Sequence, residues 1–144
     1  MRPAQVVLLT ALSGVPTLLG GVIGSCLGAA FALIGHCFPV YYRFRGGKAV
    51  SAGAAAALVI DWRIFVLAVA VFALVALLSK TASVSSMSAA GMVAVGTVLF
   101  APSTAQLLLG LFTCALVLFM HRSNIRRLIA GTEPKFHPGH RHGK

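Results

Sequence analysis

The chain has 144 residues, of which 58% are hydrophobic and only 10% are charged, and its mean hydropathy is +0.94. A soluble domain of this length leaves much of its surface in water, so this composition excludes an ordinary soluble domain and indicates an integral membrane protein. The 12 Lys and Arg residues outnumber the two acids, Asp61 and Glu133, and give a formal net charge of +10. Because these cations lie between long apolar runs, we expect membrane lipids or phosphorylated substrates as partners and no nucleic acid.

Six membrane spans are expected, each from an apolar stretch between polar breaks. A spanning helix needs about 20 apolar residues, so the stretch 5–42 is long enough for two helices with a turn near Gly20 and Gly21. Residues 49–60 form a short span that has to tilt, and residues 64–78, 84–100 and 106–120 form the other three. The predicted fold is an all-α, polytopic helical bundle. We expect one membrane-embedded domain over residues 1–135 and a basic, His-rich tail over residues 136–144.

The basic residues orient these spans. If the N-terminus is cytoplasmic, six crossings leave Arg63 as the one basic residue outside, and 11 of the 12 Lys and Arg residues lie inside. This is the asymmetry that the positive-inside rule expects. We therefore predict that both termini are cytoplasmic.

The basic loop at 43–48, with the sequence Arg-Phe-Arg-Gly-Gly-Lys, is the first candidate site. Glycines let backbone N–H groups turn toward an anion, and the N-terminus of a following helix adds a positive dipole end. The loop therefore suits a phosphate, with Lys48 as a candidate catalytic residue and Arg45, Gly46 and Gly47 as candidate substrate-binding residues. The alternative is an ordinary cytoplasmic connection whose cations only set the topology.

The second candidate site begins where the last span ends. On a helix leaving the membrane, His121 and Asn124 share one face while Arg122 and Arg126 lie one turn apart. An imidazole, an amide and paired guanidinium groups can hold an anionic ligand that carries hydroxyl groups. Asn124 is a candidate catalytic residue, and His121, Arg122 and Arg126 are candidate substrate-binding residues. An amphipathic anchor at the membrane surface is the alternative.

Three further features of the sequence bear on function. Glu133, the one acid on the inner side, is a candidate catalytic residue that either neutralises Arg126 or Arg127 or holds a substrate ammonium or hydroxyl. His36 is a candidate substrate-binding residue or an ordinary interfacial histidine. The histidines of the tail lack a second cluster of ligands, and no nucleotide-binding or nucleophile motif is present. We therefore expect no metal, no cofactor and no covalent intermediate.

Two stretches together resemble one family. The first runs from Gly-His-Cys-Phe-Pro-Val at 35–40 into Phe-Arg-Gly-Gly-Lys-Ala-Val at 44–50. The second is His-Arg-Ser-Asn-Ile-Arg-Arg-Leu at 121–128, followed by Gly-Thr-Glu-Pro-Lys at 131–135. In combination they resemble the bacterial acyl-phosphate:glycerol-3-phosphate acyltransferases, the PlsY family.

This resemblance implies a function and a location. Family members move a fatty acyl group from acyl phosphate to the 1-hydroxyl of glycerol 3-phosphate, giving lysophosphatidate in phospholipid synthesis at the bacterial cytoplasmic membrane. By the same resemblance, the loop Gly46-Gly47-Lys48 would bind phosphate, and Asn124 and Glu133 would fix the glycerol phosphate.

The chain also departs from the family pattern. Family members usually have one more span, and their first loop carries a Ser-Gly-Asn-x-Gly-x-Thr-Asn motif that this sequence does not contain. The stretch 10–14 lacks both charges of the family's Asp-x-x-Lys-Gly motif, and Ala52 stands where the family has Thr. Two expectations therefore stay open: an active acyltransferase, or a catalytically inactive or truncated membrane relative that only binds phosphate or anionic lipid.

Overall fold

The computed structural model describes residues 15–38, 47–101 and 103–135, and their side chains from residue 21 onward. All regular structure in these residues is helical, which confirms the all-α prediction. There are six helices: α1 Val15–Cys37, α2 Val50–Ile60, α3 Trp62–Ser79, α4 Ala82–Phe100, α5 Thr104–Met120 and α6 Arg122–Ile129.

Fewer of these helices are long enough to cross a membrane than the six predicted spans. By length and composition α3 and α4 qualify, and α5 with α6 qualifies as a pair bent by 56°. The apolar helix α2 and the part of α1 after its break are shorter. The described residues thus hold two spans, or three with the bent pair, and most of the first predicted span lies outside them.

The turn predicted near Gly20 and Gly21 is a break inside α1. Gly21 has φ 59° and ψ −144°, outside the helical region and on the positive side of φ that favours glycine. Two helical segments therefore meet across a kink at Gly21.

The short helix α2 lies at the centre of the bundle, where it contacts α1, α3, α4 and α5. Its sequence is rich in alanine, and six of its 11 residues are buried: Ala52, Gly53, Ala55, Ala56, Ala57 and Ile60. Small side chains let neighbouring membrane helices approach closely. Because protein surrounds α2 on several sides, it does not need the length of a lipid-exposed span.

Long-range hydrogen bonds show which helix ends lie together. At one end, the Gln106 amide donates to the Ile60 carbonyl over 2.9 Å, so the end of α2 meets the start of α5. At the other end, the Ser83 hydroxyl at the start of α4 donates to Glu133, which follows α6. The candidate site is assembled at this second end.

Candidate functional site

A tight turn after α6 brings Glu133 back onto that helix. Gly131 has φ 69°, and its N–H donates to the Leu128 carbonyl over 3.1 Å. The N–H of Thr132 donates to the Arg127 carbonyl over 2.8 Å. This pair of bonds is the Schellman motif, which needs a left-handed residue and therefore favours glycine. The chain reverses at Gly131.

The carboxylate of Glu133 accepts from three side chains. One oxygen accepts from the Ser83 hydroxyl and from the Asn124 amide, the latter over 2.6 Å, and the other accepts from Arg127 Nε over 2.7 Å. Only 6% of the Glu133 side chain is exposed, against 43% of the Arg127 side chain. Of the two roles left open for Glu133, the structure shows neutralisation, by Arg127 rather than by Arg126.

These contacts keep Glu133 ionised. The Ser83 hydroxyl, the Asn124 amide and Arg127 favour the charged form, outweigh the opposing effect of burial, and lower the pKa of Glu133 to about 2. A carboxylate with so low a pKa is a poor general base near neutral pH. Its geometry is that of a group that holds its neighbours in place.

Asn124 and His121 are almost fully buried, with 3% and 1% of their surfaces exposed. The Asn124 amide nitrogen is committed to Glu133, while its Oδ1 atom is buried and has no hydrogen-bond partner among the described residues. The Nδ1 atom of His121 lies 2.8 Å from the Val117 carbonyl, which can only accept, so Nδ1 carries the proton. Asn124 Oδ1 is thus a buried acceptor that no described residue satisfies.

The described part of the first loop lies beside His36. Gly47 donates its N–H to the His36 carbonyl over 3.2 Å, and a Cβ atom at Gly47 would fall 2.2 Å from His36 Nε2. Only glycine permits this approach. The Nδ1 atom of His36 is buried and has no partner among the described residues. Arg45 and Gly46 lie outside the described residues, so their predicted roles stay predictions.

An apolar cavity of about 420 Å³ opens beside this loop. His36, Lys48 and Ser51 lie on its wall, and the rest of the lining is mostly alanine, valine and phenylalanine from α2 to α5. The Nδ1 atom of His121 lies 2.8 Å from the carbonyl oxygen of Val117, which also lines this cavity. The two stretches that carry the family resemblance are thus brought to one place, next to an apolar cavity.

Arg122 and Arg126 lie apart from this cluster. Both are exposed, and the Arg122 guanidinium contacts the Phe119 carbonyl and ring rather than Glu133. Within the described part of the chain, no three His, Cys, Asp or Glu side chains are grouped so that they could hold a metal ion.

Comparison with known proteins identifies the family. The sequence model of glycerol-3-phosphate acyltransferase matches residues 3–131. The chain belongs to the glycerol-3-phosphate acyltransferase family. Similar relatives are the glycerol-3-phosphate acyltransferases of Geobacillus kaustophilus and Bacillus subtilis, which are 35% and 36% identical over 126 residues. The match covers 88% of this chain in both cases, and 64% and 65% of those proteins. This chain therefore spans less than two thirds of the length of these curated relatives.

Solved structures agree with this fold. The crystal structure of PlsY, an integral membrane glycerol 3-phosphate acyltransferase, in its glycerol 3-phosphate form matches with a TM-score of 0.82 at 22% identity. The match covers 94% of this chain and 68% of that one, and the lysophosphatidic acid form matches equally well by TM-score. The chain is thus an integral membrane helical bundle with the fold of this acyltransferase.

Two residues of the Glu133 cluster were not singled out as site residues from the sequence. Ser83 is separated from Glu133 by 50 positions, so the contact depends on how α4 and α6 pack. One signal was present: α4 begins with the polar run Ser83, Ser85 and Ser86, all buried, in a chain that is otherwise apolar. Arg127 was named as a possible partner of Glu133 but not as a site residue.

Proposed function

We propose that this chain transfers a fatty acyl group from acyl phosphate to the 1-hydroxyl of glycerol 3-phosphate, giving lysophosphatidate. One observation carries the proposal: a buried polar cluster with an unpartnered acceptor lies next to an apolar cavity that has a lysine on its wall. An acyl phosphate combines an apolar tail with a doubly charged head, and glycerol 3-phosphate combines a phosphate with hydroxyl groups. The site offers matching groups for both.

The cavity beside Lys48 suits the acyl donor. Its lining is mostly apolar, as expected for a site that takes a hydrocarbon chain. Lys48 on the cavity wall provides a cation for a phosphate group, and the adjoining Gly47 allows its backbone to approach closely. A tail in the cavity would therefore place its phosphate near Lys48.

The Asn124 side suits the polar substrate. Because Asn124 Oδ1 can only accept, it matches a glycerol hydroxyl better than a phosphate oxygen. We assign Asn124 to substrate contact and His121 to orientation of the group. Glu133, whose carboxylate already accepts from three side chains, acts as a positioning residue that holds Asn124.

The reaction needs no group from the chain to become acylated. The 1-hydroxyl oxygen of glycerol 3-phosphate attacks the acyl carbonyl carbon, the bond between that carbon and the phosphate oxygen breaks, and the hydroxyl proton ends on the released phosphate. Holding both substrates at one place is the main contribution of such a site.

We further propose that the site faces the cytoplasm of a bacterial inner membrane, with both termini on that side. The proposal is supported by the split of 11 basic residues against one. The hydrogen bond between Ser83, at the start of α4, and Glu133, which follows α6, is consistent with this topology. It places both residues at the same end of the bundle.

Two lysine variants test the phosphate assignment. Lys48 lies on the cavity wall, while Lys80 is an exposed residue at the end of α3 and serves as the matched control. Loss of a charge-assisted contact costs about 1.5–3 kcal/mol, or roughly tenfold or more in affinity. We expect Lys48→Ala to weaken the binding of inorganic phosphate, the leaving group of the acyl donor, by that factor in detergent titrations, and Lys80→Ala to leave it nearly unchanged. Equal losses of affinity in the two variants would show that the cations of the loop only set the membrane topology.

A further inference from the structure

The helix α6 has two unlike faces. Arg122, Arg126 and Ile129 are spaced by four and three residues, so they share one face of the helix, and all three are exposed. The exposed fraction of Ile129 is 84%. The opposite face carries Asn124, which is buried against Glu133. The outer face thus combines two cations with an aliphatic side chain, the composition of a helix that lies at a membrane surface.

The chain has no carboxylate side chain to offer to these two arginines. Its two acids are Asp61 and Glu133. Glu133 is held by Ser83, Asn124 and Arg127, and Asp61 accepts from the Arg63 N–H at the start of α3, at the other end of the bundle. The counter-charge for Arg122 and Arg126 therefore comes from outside the protein side chains.

The position of Arg122 indicates where that counter-charge lies. Its guanidinium carbon is 4.7 Å from the centre of the Phe119 ring, and its NH1 atom donates to the Phe119 carbonyl over 3.2 Å. Phe119 lies in the last turn of the apolar helix α5 and is 56% exposed on the outside of the bundle. The guanidinium therefore lies where a lipid-facing aromatic side chain meets the polar end of a span, at headgroup depth.

We propose that Arg122, Arg126 and Ile129 form a surface that binds the headgroup of an anionic phospholipid. Both arginines bind the headgroup phosphate, and Ile129 contacts the acyl region beside it. This role is separate from acyl transfer and does not require it.

Lipid quenching of a single tryptophan tests this surface. The sequence has one Trp, the exposed Trp62 at the other end of the bundle, so Trp62→Phe with Ile129→Trp places the only fluorophore on the outer face of α6. The full chain is reconstituted in vesicles of equal parts phosphatidylglycerol and phosphatidylcholine, with either lipid brominated. Each cation near an anionic membrane surface favours binding by about fivefold. Two cations together therefore favour an anionic lipid by up to roughly 25-fold. We expect brominated phosphatidylglycerol to quench more strongly than brominated phosphatidylcholine, with an enrichment of between about fivefold and that value.

Matched variants decide the outcome. Arg122→Gln with Arg126→Gln should abolish the preference, whereas Arg63→Gln with Lys80→Gln, which removes the same charge elsewhere, should keep it. Equal quenching by both lipids in the tryptophan-labelled chain that keeps both arginines would overturn the proposal, as would loss of the preference in both variant pairs. A preference that glycerol 3-phosphate displaces would show that the arginines serve the soluble substrate, and this too would overturn it.

Discussion

At the scale of single residues, Asn124 is the member of the buried cluster with an unused hydrogen-bond acceptor. Its amide nitrogen donates to Glu133, while its Oδ1 atom has no partner among the described residues. Because the amide group of Asn124 is held in one orientation, its Oδ1 atom points in a fixed direction. Its role is therefore expected to be specific to one substrate.

Asn124→Ala tests this specificity. Loss of one hydrogen bond to a substrate hydroxyl costs about 0.5–1.5 kcal/mol, and more where a buried partner is left unsatisfied. We expect the KM for glycerol 3-phosphate to rise roughly tenfold, with the KM for acyl phosphate nearly unchanged. Steady-state release of inorganic phosphate measures both constants, and Ser123→Ala, at the exposed neighbouring position, is the control. A parallel rise in the two KM values would contradict the assignment.

The lowered pKa of Glu133 predicts that the stability of the fold depends on pH. Its pKa falls from an ordinary value of 4.5 to about 2 because the Ser83 hydroxyl, the Asn124 amide and Arg127 favour the charged form. A carboxyl group whose pKa is lower in the folded state than in the unfolded state stabilises the fold at pH values above the unfolded-state pKa. This stabilisation is lost as the pH falls through the folded-state pKa. We expect the Tm of the chain to fall between about pH 4.5 and 2.

Glu133→Gln separates this effect from other titrations. The variant should have a lower Tm than the unmodified chain at neutral pH, and the difference between the two should shrink through the same acid window. A difference that stays constant with pH would show that the charge of Glu133 does not stabilise the fold. Thermal unfolding in detergent at a series of pH values provides the measurement.

At the scale of helices, the packing of α4 against α5 depends on Gly110. A Cβ atom at this position would lie 2.1 Å from Thr97 Oγ1 and 2.6 Å from Thr97 Cβ. Thr97 is fully buried and its hydroxyl donates to the Val93 carbonyl over 2.6 Å. The close approach of the two helices therefore requires glycine here.

Alanine at two glycines tests this contact. Gly110→Ala should destabilise the chain by about 1–3 kcal/mol, the usual cost of overpacking. Gly91→Ala in α4 is the control, because a Cβ atom there has no neighbour within 4 Å, and alanine favours a helix over glycine by about 1 kcal/mol. Thermal unfolding of both variants gives the comparison. Similar Tm values for the two variants would show that α4 and α5 can move apart at little cost in free energy.

Hydropathy predicts the positions of most helices well. In a membrane, an apolar run bounded by polar residues has few stable structures other than a helix. The predicted spans 64–78, 84–100 and 106–120 lie within α3 to α5 with small shifts at their ends. Those shifts come from local caps such as Asp61, which accepts from the Arg63 N–H and starts α3 earlier. Hydropathy could not show that α2 is a short central helix, because burial in protein and burial in lipid select the same side chains.

The site was predicted in part. His36, Lys48, His121, Asn124 and Glu133 were chosen from local motifs, and the structure brings the two motifs to one end of the bundle. The contacts of each of these residues depend on how helices that are distant in the sequence pack together. The hydrophobic periodicity of the sequence carries no information about that packing. For that reason Ser83 was not singled out, and the separation of Arg122 and Arg126 from the cluster was not foreseen.

At the scale of the whole molecule, the bundle brings a polar cluster next to an apolar cavity. The chain spans less than two thirds of the length of the curated relatives that it matches. The family's first motif is absent from this sequence. The central claim is that the described site nevertheless supports acyl transfer.

Turnover tests that claim most directly. The purified chain is supplied with acyl phosphate and glycerol 3-phosphate, alone and with a peptide carrying the family's first span and motif, and both inorganic phosphate and lysophosphatidate are measured. We predict that both products appear in equal amounts only when glycerol 3-phosphate is present, that Lys48→Ala and Asn124→Ala each reduce them, and that Lys80→Ala does not. Absence of lysophosphatidate under both conditions, or phosphate release that is independent of glycerol 3-phosphate, would contradict the proposed function.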